Sequence, residues 1–307
     1  MILLCGIPTE SPMVLVKEAL ESNGTRHVVL NQRKYSSMKM SLEIRRGKPS
    51  GKLQLNGDSY SIDEFTGVFT RLMDFHHLPE LKDARANSPE LNFCRNLFDT
   101  LTRWAEITPA RVVNRIAPMG SNFSKPYQAQ LIRRYGFEVP ETLITNDPEL
   151  VRAFRARHGR VIYKSISGVR SIVQSLTDDD MTRIDSIRWC PTQFQAFVDG
   201  TNVRVHTVGD KVFATAIKTD ATDYRYAHRQ SGDYADLRPV ELSDDLSERC
   251  VKLAAGLGLA FAGIDLKITP EGYVYCFEVN PSPAFSYYES QTGQPISRAV
   301  AEYLSGN

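Results

Sequence analysis

At 307 residues, 42% hydrophobic and 24% charged, the chain is long enough for two or three packed subdomains of ordinary globular make-up. A formal charge of +1 makes no electrostatic case for nucleic acid or an anionic membrane, and no apolar run approaches the roughly 18 residues of a spanning helix. Five cysteines with no CxxC spacing argue against zinc and against a disulfide framework, and for a reducing cytoplasm.

Residues 1–5 form a first strand. No charged region precedes it, and Gly6-Ile7-Pro8 breaks it, so it is not a signal peptide. Ser11-Pro12 opens an amphipathic helix to about Ser22, with Ser11 as cap, and a strand at 27–31 follows. Residues 42–46 and 52–56 flank the turn-rich 47–51 and predict a hairpin. Residues 67–71 are another core strand. Residues 90–107 follow a helical pattern through Leu91, Cys94, Leu97, Phe98, Leu101 and Trp104. Residues 111–114 close a first unit over 1–117. No GxGxxG follows the first strand, so dinucleotide binding has no support.

A second unit, 118–192, opens with a helix from Ser124-Lys125-Pro126 to Tyr135, stopped by Gly136. A strand at 141–145, a helix at 147–157 and a strand at 160–164 come next. The small-residue loop 165–171 then leads into a strand at 172–176. The third unit, 193–307, is mostly strands, interrupted by a helix at 243–257 and finished by one at 297–304.

Within that third unit, Gly263-Ile264-Asp265-Leu266-Lys267-Ile268 alternates like a strand, 269–272 reads as a turn, and 273–279 returns. Pairing Ile268 with Tyr273 would set Asp265 opposite Cys276, with Cys276, Glu278 and Asn280 on the face of Asp265. Two carboxylates and an amide oxygen converging on one face are an all-oxygen set for a hard cation, and Mg²⁺ completes such a shell with waters and phosphates. The competing account is an acidic strand end in solvent. The apolar flanks Phe261, Ile264, Leu266, Phe277 and Val279 argue for buried strands, where acids need partners.

Lys125, Lys164, the loop after it, Phe194-Gln195-Ala196-Phe197-Val198, Arg204, Asp223-Tyr224-Arg225, Asp265 and Glu278-Val279-Asn280 arrive in a characteristic order. From about Lys125 to the C-terminus the chain resembles an ATP-grasp ligase, closest to RimK-like glutamate ligases and the maturases of microviridin-type peptides. The resemblance implies an α/β (α+β) ATP-grasp fold behind an N-terminal Rossmann-like domain. It implies Lys125 and Lys164 as nucleotide lysines, and Gly168 in a lid loop that closes on the triphosphate. Gln195, Phe197 and Val198 become the adenine hinge, Asn202 and Lys218 further nucleotide contacts, and Arg204 and Arg225 the holders of the γ-phosphate and the activated carboxylate. Asp265, Glu278 and Asn280 become ligands of Mg²⁺, with Mn²⁺ as a substitute.

Departures from the family pattern are Ala196, where a Glu is usual, and Asn202, where an acid often meets the ribose. Both bear on nucleotide affinity. Each Arg has a structural alternative, pairing with Asp199 or Asp223, and His206, on the face of Arg204, has that of a satisfied core histidine. His228 and Arg229 are candidates to face an acidic substrate.

The implied reaction is ATP-dependent, ADP-forming ligation through an acyl phosphate, with no Ser, Cys or His nucleophile. The substrate would be an amino acid, peptide or protein carboxylate plus an amine, acted on by a homo-oligomer without nucleic acid or membrane. Phe69-Thr70-Arg71-Leu72-Met73-Asp74 resembles a segment of the peptide maturases, which keeps side-chain cross-linking open beside amino-acid addition. A third reading, a nucleotide-binding module without catalysis, rests on Ala196 and Asn202 and is opposed by Lys164, Asp265, Glu278 and Asn280.

Overall fold

A computed structural model describes residues 1–166, 173–218 and 236–306. The first unit contributes β1 (Ile2–Gly6), β2 (His27–Asn31), β3 (Lys39–Arg45), β4 (Lys48–Leu55), β5 (Asp58–Ser61), β6 (Gly67–Thr70) and β7 (Arg111–Val113). Strands in the order β2-β1-β6-β7 make a parallel sheet. Every residue of β1 is buried, because alternate side chains serve opposite layers. Ile2 and Leu4 share a core with Met13, Val16 and Leu20 of the helix Ser11–Ser22 and with Val300 and Leu304 of the helix Ile296–Ser305. Leu3 and Cys5 pack instead with Leu101 and Trp104 of the helix Pro89–Ile107. The last helix of the chain therefore covers the first sheet.

The predicted hairpin forms with a tighter turn than expected. Arg45 pairs with Lys48 across Arg46-Gly47, both at positive φ (52° and 78°), the backbone a two-residue hairpin turn requires. Pro49 to Gly51 are consequently strand residues. Pro49 is tolerated because β5 pairs with β4 only from Lys52 onward, leaving the other edge open at that point.

The second unit holds β8 (Thr142–Thr145), β9 (Val161–Ser165), β10 (Gln174–Ser175) and β11 (Thr192–Ala196) in an antiparallel sheet of order β10-β9-β11-β8. The helix Pro148–His158 covers it through Val151 and Phe154. All of β11 lies in this sheet. A helix, Asp178–Thr182, stands where no element was expected. Its run of aspartates looks like a solvated face, but Thr177 and Asp180 cap each other's backbone N–H groups.

The third unit is a five-stranded antiparallel sheet, β12 (Thr201–Val208), β13 (Lys211–Lys218), β14 (Asp236–Val240), β15 (Phe261–Ile268) and β16 (Val274–Asn280), in the order β14-β13-β12-β15-β16. One face packs Val203, Val205, Ile264, Leu266, Cys276 and Val279 against Leu246, Cys250 and Leu253 of the helix Asp244–Gly256. Phe285 leads into the helix Ser286–Thr292, and Phe285 and Tyr288 are buried.

Candidate active site

The pairing of β15 with β16 decides the site. It runs Ile268–Val274, Lys267–Tyr275 and Leu266–Cys276, then shifts so that Asp265 pairs with Glu278 and Gly263 with Asn280. Phe277 is the extra residue of a β-bulge. The expected pairing of Ile268 with Tyr273, and of Asp265 with Cys276, does not occur, because Thr269 N–H bonds Tyr273 O at 3.0 Å and widens the turn by one residue. Cys276 points into the core with Leu266. Had the new register continued without the bulge, Glu278 would also face the core, since a one-residue slip flips every later side chain. The bulge returns Glu278 to the face of Asp265.

Like charges directly opposite on a sheet repel, and two cations offset them. Arg204 Nη1 donates to Asp265 Oδ1 at 2.7 Å. Arg204 is buried on β12, in register with Asp265, and among the described residues it pairs with Asp265, while Asp199 pairs with Arg160 at 3.0 Å. Lys125 Nζ contacts Glu278 Oε1 and donates to Asn122 Oδ1 at 2.8 Å. Asn280 Oδ1 accepts from Ser282 N–H at 2.9 Å, and an amide oxygen keeps a second lone pair.

No group of three or more His, Cys, Asp or Glu among the described residues makes a metal cage alone. Two carboxylates and one amide oxygen, already balanced by cations, do fit a hard divalent ion that takes its other ligands from water or phosphate.

Three side chains set the frame. On the helix Lys125–Arg133, Gln128 lies one turn after Lys125. Its Nε2 donates to Val279 O at 2.9 Å and its Oε1 accepts from Val279 N–H at 3.0 Å. Together with Glu138 O, which accepts from Cys276 N–H, it satisfies the outer edge of β16. Asn114, buried after β7, donates to Phe261 O and Pro281 O and accepts from Ala260 and Phe261 N–H. Arg71, after β6, pairs with Glu10 at 2.5 Å and donates to Ser282 Oγ at 3.1 Å and Pro283 O at 3.3 Å. The first sheet is thus tied to the segment that follows Asn280.

Beside the acids opens a cleft walled by Ile162, Val173, Phe197, Leu266 and Phe277. Lys164, Gln195, Asn202, Asp265, Lys267 and Glu278 are its polar lining. Gln195 is held by Thr142 Oγ1 at 3.0 Å. The Lys267 ammonium lies 5.1 Å from the Phe197 ring centre and 6.0 Å from that of Phe277, and donates to Val198 O at 3.0 Å. Burial lowers the pKa of Lys267, as does Arg160 nearby, while Asp199 opposes them.

Of the expected residues, Lys164, Gln195, Phe197, Val198, Asn202, Asp265 and Glu278 line this cleft. Lys125 joins it through Glu278. Lys218 lines an adjoining depression that shares Asn202 and Ile217 with the cleft. Gly168, Asp223, Arg225, His228 and Arg229 lie outside the described residues. Sequence reasoning passed over Lys267, Gln128 and Asn114. Lys267 was findable: it alternates with Asp265 on one strand.

The sequence profile of the RimK-like ATP-grasp domain matches residues 124–304. The chain belongs to the RimK-like ATP-grasp family. A probable alpha-L-glutamate ligase of Picosynechococcus is 30% identical over 238 residues, covering 74% of this chain and 78% of its own length. The solved ATP-grasp ligase PsnB, in complex with a minimal precursor, Mg and ADP, superposes with a TM-score of 0.80 at 27% identity, covering 99% of this chain and 96% of that one. A RiPP-associated ATP-grasp ligase of Chryseobacterium gregarium shares the fold, with a TM-score of 0.83 at 22% identity over 99% of this chain and 96% of its own. The RimK-like match begins beside Lys125 and takes in all of the third unit except its last residues. No helix among the described residues is long and apolar enough to cross a membrane.

Proposed function

We propose that this RimK-like chain is an ADP-forming carboxylate–amine ligase in which Asp265, Glu278 and Asn280 hold Mg²⁺, with Mn²⁺ as a substitute. The observation that carries the reading is the cross-strand pair Asp265–Glu278, each carboxylate bonded to a cation, on the wall of an apolar cleft. When bound, the ion would neutralise charge on the phosphate oxygens.

The chain's own groups do the rest. Gln195, Phe197 and Val198 hold the base, and Asn202 and Lys218 the sugar side. Lys164, Lys125 and the lid loop with Gly168 take the triphosphate. Arg204, behind Asp265, fixes that carboxylate, and with Arg225 adds positive charge where the γ-phosphoryl group departs. A substrate carboxylate attacks the γ-phosphorus, ADP leaves, and an amine displaces phosphate from the acyl phosphate. Functionally the chain divides at 117 and between β11 and β12, the central unit carrying the lid and the last unit the metal ligands.

Names of relatives support two substrates, an amino acid added to an acceptor and a ribosomal peptide with acidic side chains. One observation favours the peptide: Arg71, from the segment that resembles the maturases, bonds Ser282 and Pro283 just beyond Asn280. Intact-mass spectrometry of candidate peptides with Mg-ATP separates them. Loss of one water from an acidic peptide means internal cross-linking, and gain of an amino-acid residue means extension. Asp265→Asn and Glu278→Gln are expected to abolish ADP release in folded protein, and near-normal rates would remove the metal assignment. ATP binding with no ADP from any carboxylate tried would favour the non-catalytic module.

A further inference from the structure

His206 lies two residues after Arg204 on β12, on the same face, and is fully buried. A satisfied core histidine bonds at both ring nitrogens. Here Nε2 accepts from Arg204 Nε–H at 3.4 Å, while Nδ1 has no hydrogen-bond partner among the described residues. The donating Arg204 puts the ring proton on Nδ1, so that the unpaired group is a buried N–H. Such a donor leaves its desolvation uncompensated, a cost that Leu or Phe in the same space would avoid. Packing alone therefore does not account for an imidazole at this position.

The surroundings show what it does. The guanidinium of Arg204 has Asp265 on one side and His206 on another. The Tyr288 ring lies 5.7 Å from its Cζ and, edge-on, 5.0 Å from the His206 ring. Gly263, opposite His206 on β15, leaves the remaining space: a Cβ there would overlap Arg204 Nη2 and come within 2.8 Å of Pro283 Cβ.

We infer that His206 is a positioning residue, its Nε2 lone pair and the bare Cα of Gly263 together fixing the Arg204 guanidinium so that Asp265 faces the cleft at a set angle. The inference rests on the ligase reading above and adds to it a group that touches neither substrate nor metal ligand. Arg204 is long and has several rotatable bonds. The bond at Nε restrains the guanidinium in a direction that the bond at Nη1 to Asp265 does not.

The test compares His206→Gln, whose Oε1 reaches about as far as Nε2, with His206→Asn, whose amide stops near Nδ1, and with His206→Leu. Steady-state ADP release is expected to lose about 10–100-fold in kcat in the Asn and Leu variants, the usual cost of removing a supporting group, with the KM for ATP little changed and the Gln variant largely restored. A second readout needs no turnover: the ¹⁵N-labelled Arg204 Nε–H signal in nucleotide-free protein, protected from exchange in wild type and Gln, is expected to be exchange-broadened in Leu. If wild type releases no ADP, the ligase reading fails while this signal still decides the role of His206. If Leu does not fold, the Gln–Asn comparison still stands. Equal rescue by Asn and Gln, wild-type kcat in Leu, or an Arg204 signal untouched by the Leu substitution would each overturn the inference.

Discussion

Replacing Gln128 with Leu separates the support of β16 from its chemistry. β16 is the outer strand of its sheet, so its outward backbone groups must be satisfied from elsewhere. At Val279, between the two expected ligands on this strand, both bonds come from one fully buried amide. Leu fills the space and leaves one N–H and one C=O unpaired. At roughly 1–3 kcal/mol each the loss is about 1–5 kcal/mol after a partial return of roughly 1 kcal/mol from apolar burial. Gln32→Leu is the control. Gln32 makes the same two-bond clamp, to Met73 N–H and O at 2.8 and 2.5 Å, without touching β16. Urea unfolding followed by circular dichroism is expected to show similar losses for both variants. ADP release is expected to fall at least about tenfold in kcat only for Gln128→Leu, because only there do Glu278 and Asn280 lose their fixed backbone. A loss of stability below about 0.5 kcal/mol would refute the bond accounting. Equal kcat in the two variants would refute the claim that the clamp aligns the ligands.

Gly263→Ala is expected to displace the Arg204 guanidinium and cut kcat by about 10–100-fold while the fold persists; ADP-release kinetics at near-wild-type activity would show that the pocket yields freely. Burial first, and the Arg204 charge second, hold the pKa of His206 well below its ordinary 6.5. A depressed folded-state pKa means stability that is complete above 6.5 and lost as pH falls below it, by about 1.4 kcal/mol per unit from this residue. Urea midpoints for wild type minus His206→Gln should therefore diverge between about pH 7 and pH 5, and parallel curves would contradict the burial argument. Lys267→Met keeps an unbranched apolar chain but drops the ammonium that faces Phe197 and Phe277 and bonds Val198 O. The KM for ATP is expected to rise about fivefold, the worth of roughly 1 kcal/mol, and an unchanged KM would remove Lys267 from the hinge.

Local rules accounted for most elements. Gly136 ends the turn after the helix Lys125–Arg133 at positive φ, and alternation marked β12, β15 and β16, but Ser11 is the first residue of its helix and not the cap: Glu10 stands there, with no side-chain cap bond. The helix Asp178–Thr182 went unseen because a capping box in an acidic run carries no apolar stripe. A period of two led to the expectation that Cys276, Glu278 and Asn280 share the face of Asp265; Cys276 lies on the opposite, core face, and Glu278 and Asn280 reach that face only through the bulge at Phe277.

The opposition of Asp265 and Glu278 was not legible, although both residues were. Sequence determined which residues could supply oxygen ligands, which lysines stood near helix and strand ends, and that the chain alternates α and β. Tertiary structure alone decided that Phe277 bulges. That register is a compromise among the turn at Thr269, Cys276 seated in the core beside Cys250, and Val279 held by Gln128 from 151 residues away. It also decided that Arg204 belongs to Asp265, that His206 lies beneath it, and that Asn114 bonds both Phe261 and Pro281. Contacts between residues distant in sequence have no local period to betray them. They follow from which buried polar groups find partners once the layers have closed.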